Sequence, residues 1–201
     1  MKKQVMITPV GLALSALLSV SSIGWAASSS KISKADIEAE ATTAVPTIQA
    51  DVLTPSVLQE INSLNQAAPL PKVKERVAQN KTWRSERESA SHPMADKILG
   101  NTLSQTLKSI VAAHPNQYAN LVIIGEGATV LGSTYLTTDY YYGNKSSWRS
   151  VKRNEKPYIS GDHIDHENKK HWALVDVPVM QNGKLAGMAE VSLFVTPKAS
   201  A

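Results

Sequence analysis

Apolar and polar positions change period along this chain, and the clearest pattern lies near its end. From His171 to Val195 the sequence reads HWALVDVPVMQNGKLAGMAEVSLFV, two β-branched and apolar runs flanking Asn182-Gly183. That dipeptide tolerates positive φ at both central positions of a type I′ turn, so the stretch predicts a β-hairpin. A two-residue loop sets Gln181 opposite Lys184 and, counting outward, Met180 opposite Leu185, Pro178 opposite Gly187, Asp176 opposite Ala189, Leu174 opposite Val191 and Trp172 opposite Leu193. Ala173, Val175, Val177 and Val179 share the other face, so the hairpin is expected to be covered on both sides. Asp176 is the exception. In this register it stands beside Ala189 and Gly187, and a carboxylate next to missing side-chain volume suits a pocket for a cationic or hydrogen-bonding ligand. An edge position, or pairing with a lysine or backbone amide, is the alternative.

Upstream the period is helical. Thr54-Pro55 supplies a cap and a first-turn proline, and Val57, Leu58, Ile61 and Leu64 repeat at helical spacing, which predicts a helix over 55–66. Pro69 and Pro71 end it, and the charged stretch 72–88, with Val73, Val77 and Trp83, reads as a second, more exposed helix. Met94, Ile98, Leu99, Leu103, Leu107, Ile110 and Val111 trace one apolar stripe, predicting a single long helix over 91–113 closed by Pro115. Strand character begins at Tyr118. If Glu126-Gly127 is a hairpin loop, Ile124 faces Thr129 and Val122 faces Leu131. Thr137 to Trp148 is polar and aromatic, 149–157 is basic and loop-like, Tyr158-Ile159-Ser160 is a short strand, and 161–170 is a charged loop. Helices followed by about five antiparallel strands make an α+β fold, with the long helix packed on a central sheet.

The N-terminus alters the picture. Lys2 and Lys3, an uncharged apolar run from Val5 to Ile23 and the small residues around Trp25-Ala26-Ala27 have the form of a secretory signal peptide over 1–26, which implies export, to the periplasm in a Gram-negative cell. An uncleaved anchor is the competing reading, disfavoured by Pro9, Gly11 and the serines. Residues 27–53, rich in Ala, Ser and Thr, read as a flexible tether with a marginal helix at 34–41, and 54–90 as a helical region ahead of a domain over 91–197. The chain has no cysteine, which excludes a disulfide framework, thiol chemistry and lipidation at the cleavage point. Without the leader, 19 basic residues face 17 acidic ones, a charge of +2 that gives no reason to expect nucleic acid or a membrane surface as partner.

The order of elements resembles the extracytoplasmic Cache (PDC-type, PAS-like) sensor domains. The likeness runs from about Ser91 to Val195: a long helix feeding a strand, the turn Gly125-Glu126-Gly127, the segment Asp139 to Trp148, Tyr158-Ile159-Ser160, and the closing hairpin. The resemblance implies a pocket for a small amine, amino acid or carboxylate, formed around the segment before the tryptophan. Tyr141, Trp148 and Asp176 stand where members that bind amino acids carry a tyrosine, a tryptophan and an aspartate for the ligand's amine. Ser146 replaces an arginine of that pattern and Arg149 a tyrosine, so Lys145 or Arg149 is the candidate partner for a ligand carboxylate. With Tyr158 among the aromatic walls, the candidate binding residues are Tyr141, Trp148, Arg149, Tyr158 and Asp176. Family members usually join this domain by membrane spans to a signalling module; this chain continues only six residues past Val195, so a membrane-bound or exported protein partner is expected to carry any signal.

Two other classes compete. His163, Asp165 and His166, with His171 nearby, hold enough imidazole and carboxylate for a divalent metal, but their spacing matches no established signature and a solvated loop is the stronger reading. No nucleophile elbow, phosphate loop, dinucleotide fingerprint or HExxH stands in the sequence, so neither an enzyme nor a cofactor is expected. The alternative to a ligand sensor is a protein-interaction module whose helices over Val57 to Trp83 dock on another exported protein or pair two copies as a homodimer.

Overall fold

A computed structural model describes residues 33–164 and 170–196. The signal-peptide reading of 1–26 therefore lies outside the described residues, as do Asp165 and His166 of the metal candidate. Among the described residues six helices, α1 (Lys34–Val52), α2 (Pro55–Gln66), α3 (Val73–Arg87), α4 (Pro93–Leu99), α5 (Thr102–Ala113) and α6 (Ser146–Asn154), surround five strands, β1 (Tyr118–Gly125), β2 (Val130–Ser133), β3 (Tyr158–Ile164), β4 (His171–Gln181) and β5 (Lys184–Val195). The strands form one antiparallel sheet in the order β2-β1-β5-β4-β3. This is the α+β layout that the sequence pattern predicts.

The two faces of the sheet bury different sets of side chains. On one, Ala173, Val175 and Val177 of β4, Ala189, Val191 and Leu193 of β5, and Leu121 and Ile123 of β1 pack against α1, α2 and α5. On the other, Val122, Ile124, Val130 and Met188 pack against Tyr142, Trp148 and Val151, and α6 lies over β3, β4 and β5. Alternation along β1 accounts for the split, since successive side chains point to opposite faces. Among the described residues no helix is long and apolar enough to cross a membrane.

Three helical elements differ from the sequence expectation, and β3 runs on to Ile164 where the sequence pattern predicts a loop from residue 161. In place of a tether across 27–53, residues 34–52 form a 19-residue helix. Ile37, Ala41, Ile48 and Val52 are buried on one stripe, diluted in the sequence by alanines and threonines and interrupted by Pro46. The helix over 91–113 is two helices. Gly100 ends α4, and Asn101, extended at φ −73° and ψ 165°, caps α5 by accepting from the Ser104 N–H at 2.8 Å while its own amide donates to the Leu131 carbonyl at 2.8 Å. The stretch 149–157 is not a loop, for 146–154 is helical with Trp148 and Val151 on its buried side.

Both hairpins depart from the regular register, the closing one by one residue and the β1–β2 one by one residue at Ile124 and, past a bulge at Leu131, by two at Val122, which pairs with Ser133 rather than Leu131. At Asn182-Gly183 both φ are positive, 51° and 72°, and Gln181 pairs with Lys184 and Met180 with Leu185 as expected. Beyond that Val179 pairs with Gly187, so Ala186 is an extra residue in β5. The carbonyl freed at Ala186 accepts from Asn65 Nδ2 of α2 at 2.8 Å, and Gly187 is required because a Cβ there would collide with the Ile124 carbonyl oxygen of β1. In the β1–β2 hairpin the loop is Glu126-Gly127-Ala128 rather than Glu126-Gly127. The Ala128 N–H donates to the Gly125 carbonyl at 2.9 Å, Ala128 is left-handed at φ 58°, and Ile124 pairs with Val130.

Candidate functional site

The extra residue at Ala186 decides the chemistry of the sheet's second face. Asp176 stands opposite Glu190, not Ala189, and on its other side opposite Tyr158 of β3. Directly paired side chains in an antiparallel ladder have Cβ atoms about 5 Å apart, so two carboxyls are adjacent in the middle of a sheet. Asp176 is fully buried and Glu190 is 8% exposed. They face a cavity of about 290 Å³ between the sheet and the segment leading into α6. Its walls include the aromatic rings of Tyr135, Tyr142, Tyr158 and Trp172.

The two acids have unequal surroundings. Glu190 accepts a hydrogen bond from the Tyr142 hydroxyl at 3.1 Å. Neither Asp176 oxygen completes a hydrogen bond among the described residues. Burial, and then the neighbouring Glu190 charge, hold the Asp176 carboxyl well above the usual range, with Ser147 close enough to oppose this only in part. Burial also raises Glu190, against the Tyr142 hydroxyl and the Lys145 charge. Two such acids titrate as a pair, each disfavouring the charge of the other, so the pair retains a proton above the usual carboxylate range. Burial and Glu190 push the Tyr135 hydroxyl up to about 12, even though 38% of that residue is open to solvent. Tyr142 is raised as well, chiefly by burial.

One cation reaches the pocket already committed. Lys145 lines the cavity, but its Nζ lies 2.5 Å from Asp139 Oδ2, and Asp139 also holds Arg84 Nη2 at 2.5 Å and accepts from Asn80 Nδ2 at 3.2 Å. Burial alone would raise the Asp139 carboxyl; the donors Lys145, Arg84 and Asn80 outweigh it and hold the group below its usual value. The segment is clamped from α3, where the buried Trp83 donates from Nε1 to the Thr137 carbonyl at 2.8 Å and Asn80 Oδ1 accepts from the Tyr140 and Tyr141 N–H groups at 2.7 and 2.9 Å. The pocket thus presents aromatic walls, hydroxyls and an acid pair of which Asp176 lacks a hydrogen-bond partner among the described residues, a set suited to an amine-bearing guest.

Of the five residues singled out in the sequence, the structure brings Tyr158 and Asp176 together at this cavity. Tyr141 is not on its lining; its ring lies beneath the Arg76 guanidinium, 5.3 Å from the centroid. Trp148 is 4% exposed and packs in the core, and Arg149 points outward from α6. Tyr142, one of the aromatic residues clustered in the sequence around Tyr141, does line the cavity, whereas Glu190 and Trp172 escaped the sequence reading. The regular register puts Glu190 on the opposite face, and the one signal for the shift is Gly187 within an otherwise β-rich run. His163, from the metal candidate, stacks on Trp172 at 4.2 Å, and among the described residues no cluster of three or more potential metal ligands exists.

No family model and no curated protein matches this sequence. Among solved structures, the chain is similar to the ligand-binding domain of the amino-acid chemoreceptor PctC of Pseudomonas aeruginosa PAO1, in complex with GABA, at 12% identity and a TM-score of 0.38, over 61% of this chain and 52% of that one. It is also similar to the sensory domain of the Campylobacter jejuni chemoreceptor Tlp3 with isoleucine bound, at 14% identity and a TM-score of 0.37, over 79% and 62% of the two chains. The ligand-binding domain of Mlp24 with asparagine aligns at 19% identity and a TM-score of 0.28, over 68% and 60%. All three are ligand-binding domains. This chain spans about half to three fifths of their lengths.

Proposed function

We propose that this protein is a Cache-like sensor domain that binds a small amine-bearing molecule in the cavity between α6 and the sheet and acts through a protein partner. One observation carries the reading: the buried Asp176 carboxyl, paired across strands with Glu190, has no hydrogen-bond partner on either oxygen among the described residues and faces an aromatic-walled cavity. A buried acid without partners is costly, and a ligand ammonium would satisfy it. Ligand recognition divides as follows. Asp176 and Glu190 accept from the ammonium, Tyr158, Tyr142 and Trp172 supply ring faces to it, and Lys145, if it exchanges Asp139 for a ligand, receives a carboxylate. Export over a cleaved leader, and a membrane-bound or exported partner, belong to the same proposal.

The test is a thermal-shift panel of monoamines, diamines, amino acids and organic acids on the purified protein, because a ligand selective for the native state raises its melting temperature. An amine or amino acid should raise it saturably, and Asp176→Asn should abolish the response. If no compound shifts the melting temperature at millimolar concentration, the ligand reading fails. A protein-interaction module is the second reading, favoured by Leu70, Val73 and Val77, which stand 52%, 55% and 41% exposed at the start of α3. Loss of a pulled-down exported partner on Val73→Lys, with no ligand response in the panel, would decide for it.

A further inference from the structure

A second cavity lies on the far side of the Tyr140 segment and plays no part in the amine site. It measures about 410 Å³, larger than the first, and opens between α2, α3, α4 and β2. Its walls are mainly apolar, with Leu64, Met94, Ile98, Val130, Leu131 and Tyr140 contributing. Asn101, also on its lining, is fully engaged in capping α5 and holding the Leu131 carbonyl.

One wall group is not engaged. Among the described residues four buried side-chain polar atoms lack a hydrogen-bond partner: both oxygens of Asp176, Arg76 Nε and Gln79 Oε1. Gln79 lines this second cavity. The lining of each cavity therefore includes a residue with unpartnered buried oxygen, the aspartate carboxyl in one and the amide Oε1 of a half-buried glutamine in the other. We infer that the second cavity is an accessory site for a small, uncharged, largely apolar molecule bearing one hydroxyl, which bonds to the Gln79 side-chain amide while its body lies against Ile98, Leu131 and Tyr140. A hydroxyl both donates and accepts, so it satisfies the amide in either orientation. A cationic guest is excluded because no acid stands on the lining, and Lys97, the cation at the cavity's edge, is solvent-exposed and hydrated without a guest. The neighbouring residue on α3, Asn80, holds the Tyr140 and Tyr141 amides and touches Asp139, so the two cavities share one structural wall.

The probes are p-cresol and its hydroxyl-free counterpart toluene, followed by thermal shift and by saturation-transfer NMR on the whole protein. p-Cresol should bind saturably and toluene about fivefold more weakly, the difference expected of one neutral hydrogen bond. Gln79→Leu should erase that discrimination, Ile98→Trp should fill the cavity and abolish p-cresol binding, and Asp176→Asn should leave it unchanged. If Ile98→Trp does not fold, the loss of discrimination in Gln79→Leu decides alone. Absence of saturable p-cresol binding, equal binding of the two probes to the wild type, or binding lost in Asp176→Asn would each overturn the inference.

Discussion

Asparagine at position 176 keeps the shape of the aspartate and removes its charge and its proton, which makes it a direct probe of the buried pair. The folded-state value of Asp176 is raised by burial and by Glu190. A raised acid holds a proton in the folded chain that the unfolded chain has released. Its contribution to stability is therefore fully present below the unfolded value, near 3.9 for aspartate, and is lost as pH rises through the folded value. Within that window the wild type loses about 1.4 kcal/mol per pH unit for one proton. For a chain of this size that is roughly 3–6 °C of melting temperature per pH unit. Asp139, whose value is depressed, acts in the opposite direction only at more acid pH, so melts from pH 5 to 8 isolate the pair. Circular-dichroism melts should show the wild type falling over this range, while Asp176→Asn, in which only the buried Glu190 still titrates, falls less steeply and is the more stable protein at pH 8. Parallel curves for the two proteins, or an Asp176→Asn variant less stable than wild type throughout, would refute the account of a protonated buried pair.

The same linkage predicts that affinity for an amine rises with pH through this window, because the ammonium displaces the proton that the raised pair retains; calorimetry in two buffers of different ionisation enthalpy should register proton release on binding. Asp139→Asn leaves Arg84 and Lys145 without their partner and should cost about 2 kcal/mol, discounted from a fully buried pair because both cations are half-exposed, or some 4–8 °C of melting temperature. Asn65→Ala strips the Ala186 bulge carbonyl of its donor and should cost about 1–3 kcal/mol in a urea melt, with amine binding weakened because the bulge sets Asp176 against Glu190. Asn101→Ala removes the α5 cap and the bond to Leu131 and should cost about 1–2 kcal/mol by the same assay.

Local patterns carried much of the architecture. Thr54-Pro55 and the spacing of Val57, Leu58, Ile61 and Leu64 mark α2 at its observed ends, and Asn182-Gly183 with its alternating flanks marks the β4–β5 turn, because caps and two-residue turns depend on residues within a few positions of one another. The aspartate in an apolar strand was also legible as an anomaly. What pairs with it was not. The register beyond Met180 depends on Ala186, whose carbonyl is held by Asn65 more than a hundred residues earlier, and on the close approach of β1 to Gly187. A one-residue slip exchanges the faces of a strand, so this distant contact moves Glu190 from the opposite face to the side of Asp176. For the same reason no pattern within 27–53 could establish α1 as a core helix, since its sparse apolar stripe acquires meaning only from the sheet it covers. The sequence by itself determined α2, α3, the turn of the closing hairpin, the α+β order and one anomalous acid; the tertiary structure decided α1, α6 and which strand residues face each other, and so made that acid half of a pair.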